Sequence, residues 1–174
     1  FVSDVCFRVL DHRVAATICC LAAAFSGASA QAETHTFQPV ADGYVVAGHP
    51  GRVASRGHLQ LSRTPQSLSF LRFKVGRSSQ VLVGATLSLR VRHMVTRAIA
   101  GQLKHLRVRY ASSQWLESSV GRGRPKPGAT VPLRSITANK RRIDIGLPPT
   151  VVRGGSVSIA LQTVGRVPLS FFSR

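Results

Sequence analysis

The chain has 174 residues, and its 24 Lys and Arg against 6 Asp and Glu give a formal net charge of +18. That length suits one domain, and the 44% hydrophobic content supplies one core. It is spread through short segments, with no apolar span of about 18 residues in the body of the chain to cross a membrane as a helix. Charge so far from zero concerns partners rather than fold: phosphate backbones, anionic lipid and acidic polysaccharide are its usual complements.

The basic residues are mostly Arg, the lysines being Lys74, Lys104, Lys126 and Lys140. Arg makes planar bidentate contacts with carboxylate and phosphate, which suits an anionic ligand. A GC-rich coding sequence is the competing reason for Arg over Lys, but it leaves the scarcity of acids unexplained.

In chain order, the first element is a leader. Arg8, His12 and Arg13 precede the apolar run Val14–Phe25, and small residues follow through Ala32. A basic region, a short apolar region and an A-x-A site form the pattern of a secretory signal peptide. Ala28-Ser29-Ala30 and Ala30-Gln31-Ala32 both fit the cleavage site. An N-terminal anchor or a buried helix is the competing reading. The expected division is therefore a signal peptide over 1–32 and a domain over 33–174. The chain opens on Phe rather than Met, which leaves a missing start or a frame extended upstream across Phe1 to Asp11. Cys6, Cys19 and Cys20 all fall in the leader, so the mature chain is expected to have no disulfide, thiolate metal site or cysteine nucleophile.

Beyond the leader, short strand signals alternate with Gly, Pro and Ser clusters. The predicted strands are Thr34–Pro39, Gly43–Val46, His58–Leu61, Ser69–Val75, Ala85–Val95, His105–Tyr110, Arg142–Ile145, Ser156–Thr163 and Leu169–Phe172. Val95–Leu103 is the stretch that fits a turn of helix, and Gly121–Gly128 reads as a basic exposed loop. Three stretches alternate apolar with polar residues: Leu71-Arg72-Phe73-Lys74-Val75, Leu87 to Val95, and Leu106-Arg107-Val108-Arg109-Tyr110. A period of two marks a strand with one face in the core, and here the other face is cationic. Arg72, Lys74, Arg90, Arg92, Arg107 and Arg109 form one stripe if these strands share a sheet. Such a stripe would hold a linear polyanion by charge-assisted hydrogen bonds. Scattered solvated residues are the plainer alternative. Trp115 and Tyr44 could stack on a sugar, although a lone Trp is more often core.

For an enzyme the acids are few. After the leader only Glu33, Asp42, Glu117 and Asp144 remain. His35, His49, His58, His93 and His105 show no zinc spacing, and His93 falls on the inward side of its strand. No G-x-S-x-G elbow appears. Calcium is the one ion to consider, with Asp42, Glu117 and Asp144 as weak candidates against ordinary capping and turn roles. No catalytic residue and no cofactor beyond that structural calcium are expected.

Several segments, in order, resemble one family. They are Asp42-Gly43-Tyr44-Val45, Gly48-His49-Pro50, Leu59-Gln60-Leu61, Phe70-Leu71-Arg72-Phe73 and Ala85-Thr86-Leu87-Ser88-Leu89. Trp115-Leu116-Glu117-Ser118-Ser119-Val120, Pro125-Lys126-Pro127-Gly128, Ile143-Asp144-Ile145, Val157–Leu161 and Ser170-Phe171-Phe172-Ser173-Arg174 follow. Together they resemble the DNRLRE domain family, disaggregatase-related and grouped with carbohydrate-binding modules, over Thr36 to Arg174. The resemblance implies a secreted bacterial β-sandwich of jelly-roll type, with acidic polysaccharides such as alginate among the family's ligands. The chain departs from it in three places. Lys74 stands where the family has an acid, Gly121 to Arg124 replace a second Trp and an Asn pair, and the chain ends at Ser173-Arg174 where the family continues into a last strand. That reads as a sandwich without its last strand.

The reading that results is an all-β, antiparallel jelly-roll sandwich, secreted or at the cell surface, that binds acidic polysaccharide without catalysis. No nucleic acid and no membrane insertion of the mature chain are expected. The alternative is a structural or adhesion module of a cell-surface protein with no ligand of its own.

Overall fold

A computed structural model describes residues 5–12, 32–47, 57–76, 81–112, 114–120 and 125–173. The strands are β1 (Val5–His12), β2 (Ala32–Phe37), β3 (Pro39–Val46), β4 (His58–Arg63), β5 (Gln66–Lys74), β6 (Val81–Arg90), β7 (Leu106–Ala111), β8 (Pro127–Thr130), β9 (Ser135–Asn139), β10 (Arg142–Leu147), β11 (Ser156–Thr163) and β12 (Leu169–Phe172). One short helix, α1 (Arg97–Gln102), interrupts them. Among the described residues no helix is long and apolar enough to cross a membrane.

The strands form two antiparallel sheets, so the protein is an all-β sandwich. One sheet has five strands in the order β2-β1-β6-β10-β9. The other has seven, with β12-β4-β5-β11-β7-β8 in a row and β3 also paired to β5. Period-two patterning decides which side chains meet between them. In the five-stranded sheet, Val5 and Ile143 flank Leu89, Phe7 and Ile145 flank Leu87, and Val9 and Leu147 flank Ala85. Each of these points inward, against Leu71, Phe73, Leu106, Val108, Val157, Ile159 and Leu161 of the facing sheet. Phe7 and Phe73 meet across the layers with ring centroids 5.4 Å apart.

Local chemistry explains the connections. The β11 hairpin turns on Gly154 and Gly155, with φ of 56° and 76°, conformations that a Cβ disfavours. The Gly155 carbonyl accepts from the Val75 and Gly76 N–H groups, tying this turn to the end of β5. Helix α1 starts where the Thr96 hydroxyl accepts from the Ile99 N–H.

The all-β expectation holds, and the predicted spans Ser156–Thr163 and Leu169–Phe172 coincide with β11 and β12. Four differences stand out. Val5–His12, placed in the leader by sequence, is a strand of the five-stranded sheet, with Val5, Phe7 and Val9 no more than 1% exposed. The apolar run and small-residue tail of the leader pattern, 13–31, lie outside the described residues. The predicted strand Ala85–Val95 stops at Arg90, because beyond it the Arg92 N–H donates to the Ser170 carbonyl and the Val95 N–H to the Lys140 carbonyl. His93 consequently sits exposed in a bend rather than inward. Part of the predicted loop Gly121–Gly128 is strand: Pro127 begins β8, which pairs with β7, while 121–124 lie outside the described residues.

Candidate functional site

The six cations expected in one stripe divide between the two sheets. Arg72 and Lys74 lie on β5 and Arg107 and Arg109 on β7, in the seven-stranded sheet. Arg90 lies on β6 of the other sheet, with Arg92 just beyond it. Even the four that share a sheet do not align. Arg109 shares a row with Ala160 and Phe70, and Arg107 shares one with Gln162 and Leu68, four residues from Arg72 along β5.

A roof also covers the outer face of the seven-stranded sheet. Trp115 and Val120, from the segment after β7, pack there on Ala41, Val45, Phe70 and Ala160 as a second apolar cluster. Trp115 is 3% exposed, so it has no free face to stack on a sugar. Its ring meets Phe70 edge-on at 6.1 Å, and its Nε1–H donates to Ser158 Oγ at 2.9 Å. The Arg72 guanidinium sits 5.7 Å from the Trp115 ring centre. The Arg109 Nε–H donates to the Gly128 carbonyl, and Arg107 donates to the carbonyls of Lys104 and Leu106. Tyr44 is buried as well, with its ring beside His58.

The outer face of the five-stranded sheet is different. Arg90 is the register partner of Arg142, and the Val91 and Val95 N–H groups donate to the carbonyls of Arg141 and Lys140. The β9–β10 turn is thereby pressed against the end of β6. The backbones of Arg90 to Arg92 and Lys140 to Arg142 thus lie together at one end of the sheet; Arg92, His93, Lys140 and Arg141 are exposed. The Arg90 guanidinium lies 5.2 Å from the centre of the Phe172 ring, which holds its stem down.

Inward along the same face comes a row of Ser88 and Asp144. Arg142 Nε donates to Asp144 Oδ1 at 2.8 Å and its terminal NH2 donates to Ser88 Oγ at 2.8 Å, while the Ser88 hydroxyl also donates to Asp144. Next comes Arg8 opposite Thr86, itself opposite Gly146. There the face opens into a groove of about 320 Å³ lined by Arg8, Thr34, Thr86, Arg134 and Ser135, with Gly84 and Gly146 among its lining residues. A Cβ on Gly146 would lie 2.5 Å from Ser135 Oγ and 3.3 Å from the Ser135 backbone nitrogen, so a side chain there would displace the Ser135 hydroxyl. From Arg90 to Gly84 the face runs six residues along β6, about 20 Å at ordinary strand rise.

The three weak calcium candidates stay apart. Asp42, 1% exposed, is on β3 and accepts from Ser173 Oγ at 2.8 Å. Asp144 is on β10 in the other sheet, paired with Arg142. Glu117 opens a single 3-10 turn in the segment that carries Trp115. Among the described residues, no three His, Cys, Asp or Glu side chains gather as a metal-sized group.

Of the predicted cations, the structure places Arg90 and Arg92 in a dense basic cluster. Sequence reasoning missed their neighbours Lys140, Arg141 and Arg142. The triplet is visible in the sequence, but its closeness to Arg90 depends on the pairing of β10 with β6, a contact between segments some fifty residues apart. Arg8 was missed because it was read as leader. Compared with known proteins, the chain matches no family model and no curated protein.

Proposed function

We propose that this protein is a non-catalytic binding module that captures acidic polysaccharide on the outer face of its five-stranded sheet. The observation that carries the reading is the placement of Arg90, Arg92, Lys140, Arg141 and Arg142 at one end of that sheet, with Arg8 and Arg134 lining the groove further along it. A row of cations spaced along about 20 Å suits a chain with a repeated carboxylate better than a compact anion. The hydroxyls of Thr34, Thr86 and Ser135 add partners of the kind that sugars use. The resemblance to DNRLRE domains supports the ligand class. The carboxylates support binding over hydrolysis: Asp42 and Asp144 lie in different sheets, each in a hydrogen bond.

The test is binding of the full chain to alginate, polygalacturonate, a neutral glucan and heparin at low and moderate salt. Saturable binding to a uronate polymer that persists at moderate salt, with weaker binding to heparin and none to the glucan, is the expected result. Equal binding to every polyanion, erased by salt, would reduce the cations to unspecific charge and favour a structural or adhesion module.

A further inference from the structure

Two glycines shape the groove on the outer face of the five-stranded sheet. Thr36, Arg8, Thr86, Gly146 and Ser135 form one register row across its strands, and Thr34, Leu10 and Gly84 form part of the next. Gly146 and Gly84, on adjacent strands, therefore put bare backbone in the groove. Gly146 has a packing reason, since a Cβ there meets Ser135. Gly84 has none. Its φ is not positive, and a Cβ there would meet only Leu10 Cβ, at an ordinary contact of 3.9 Å. The pairing of β1 with β6 bulges between Leu10 and Asp11, but a bulge that needs glycine needs it at positive φ. Glycine inside a strand weakens it, and it marks places where a ligand comes close to the backbone.

The lining residues carry cations and hydroxyls. Arg8, on β1, is exposed. Arg134 comes from the segment before β9: its backbone N–H donates to the Gly146 carbonyl at 2.8 Å, and its guanidinium donates to the Val83 carbonyl at 3.1 Å. Val83 is the extra residue of the bulge, so the bulge supplies the acceptor that holds Arg134. The rest of that exposed donor fork suits a carboxylate. No Asp or Glu is among the lining residues, while Thr34, Thr86 and Ser135 bring hydroxyls and Leu10 brings apolar surface. A volume of about 320 Å³ is more than a bare anion fills, and it lies at the low end of small-ligand sites, about 300–1,000 Å³.

We propose that this groove is a discrete subsite for one uronic acid residue: the sugar ring lies over Gly84 and Gly146, and Arg8 and Arg134 hold its carboxylate. The subsite rests on the reading of this face as a site for acidic polysaccharide, and it separates two roles within it. The basic end attracts the polymer by charge, and the groove recognises a residue of it. Thr86 stands four residues from Arg90 along β6, about 13 Å. A two-ring ligand seated in the groove therefore does not reach the basic end.

The test titrates the isotopically labelled full chain with digalacturonate, neutral digalactose and inorganic phosphate, following backbone amides by NMR. Saturable binding of digalacturonate is expected, with the largest shifts at Gly84, Thr86 and Gly146. Digalactose is expected to bind at least about five-fold more weakly, and phosphate to give no saturable shift at those amides. Gly84→Leu fills the groove from an unstrained backbone, and Arg8→Gln removes one cation at an exposed position. Each is expected to weaken digalacturonate binding about five-fold or more, with the rest of the amide spectrum unchanged and low-salt binding of polygalacturonate retained. If Gly84→Leu does not fold, Arg8→Gln decides alone. No binding of digalacturonate, equal binding by the wild type and the variants, or equal binding of digalactose or phosphate would overturn the subsite, while retained polymer binding would leave the face standing. A wild-type chain that does not bind polygalacturonate would overturn the face, and the subsite with it.

Discussion

Asp144 places a carboxylate among the cations of the basic end, where it holds Arg142 through a 2.8 Å ion pair with both side chains about one-third exposed. An ion pair so open to water contributes about 0–1 kcal/mol to stability. Its larger effect is on the field of the face, which it partly neutralises. Asp144→Asn is therefore expected to leave stability within about 1 kcal/mol and to tighten binding of polygalacturonate several-fold at low salt, measured by titration calorimetry. Unchanged or weaker binding would place the ligand elsewhere. Trp115 carries the opposite kind of prediction. Buried against Phe70 and hydrogen-bonded to Ser158, it anchors the roof over the seven-stranded sheet. Trp115→Ala is expected to cost about 3–5 kcal/mol in urea unfolding, with uronate binding by the remaining folded protein unchanged. Loss of binding without loss of stability would restore the Trp to a ligand-stacking role.

At the scale of elements, β1 makes the sharpest prediction. Phe7 is fully buried and meets Phe73 across the layers, so Phe7→Ala is expected to lower global stability by about 3–5 kcal/mol. An effect below about 1 kcal/mol would mean that β1 is not part of the core. The pattern Val5-x-Phe7-x-Val9 is as strand-like as that of β11, but the apolar run after it carries the stronger signature of a leader, and the shorter signal was absorbed into it. β9 was missed for a different reason. Ser-Ile-Thr-Ala-Asn is an edge strand with little burial, so it has no apolar alternation to read. The predicted strand Ala85–Val95 misses the first four residues of β6 and runs past Arg90, because Val91 and Val95 keep the inward positions of the apolar pattern. What ends the strand is hydrogen bonding to Ser170 and Lys140, which lie far away in sequence. The paired spans β11 and β12 were legible because their apolar residues recur every second position between clear turn signals.

For the whole molecule, the alternation of Arg with apolar residues identified strands whose outer faces are cationic. It could not say which sheet each strand joins. That assignment separates Arg90 and Arg92 from Arg72, Lys74, Arg107 and Arg109, and brings Lys140, Arg141 and Arg142 to the first pair. Two faces with similar charge in the sequence thus differ in the fold: one is roofed by Trp115 and its segment, the other carries a groove lined by Arg8 and Arg134. The most direct test compares full-length chains by calorimetry against polygalacturonate at low salt. Arg92→Glu with Arg141→Glu reverses two exposed cations at the basic end, without touching Arg90 on Phe172 or Arg142 on Asp144. Lys104→Glu with Arg107→Glu makes the same change in net charge on the other side of the sandwich. The expected loss is about ten-fold or more for the first pair, about 1.4 kcal/mol, and less than about two-fold for the second. Equal losses from both pairs would show that net charge, not this face, holds the ligand, and would contradict the account.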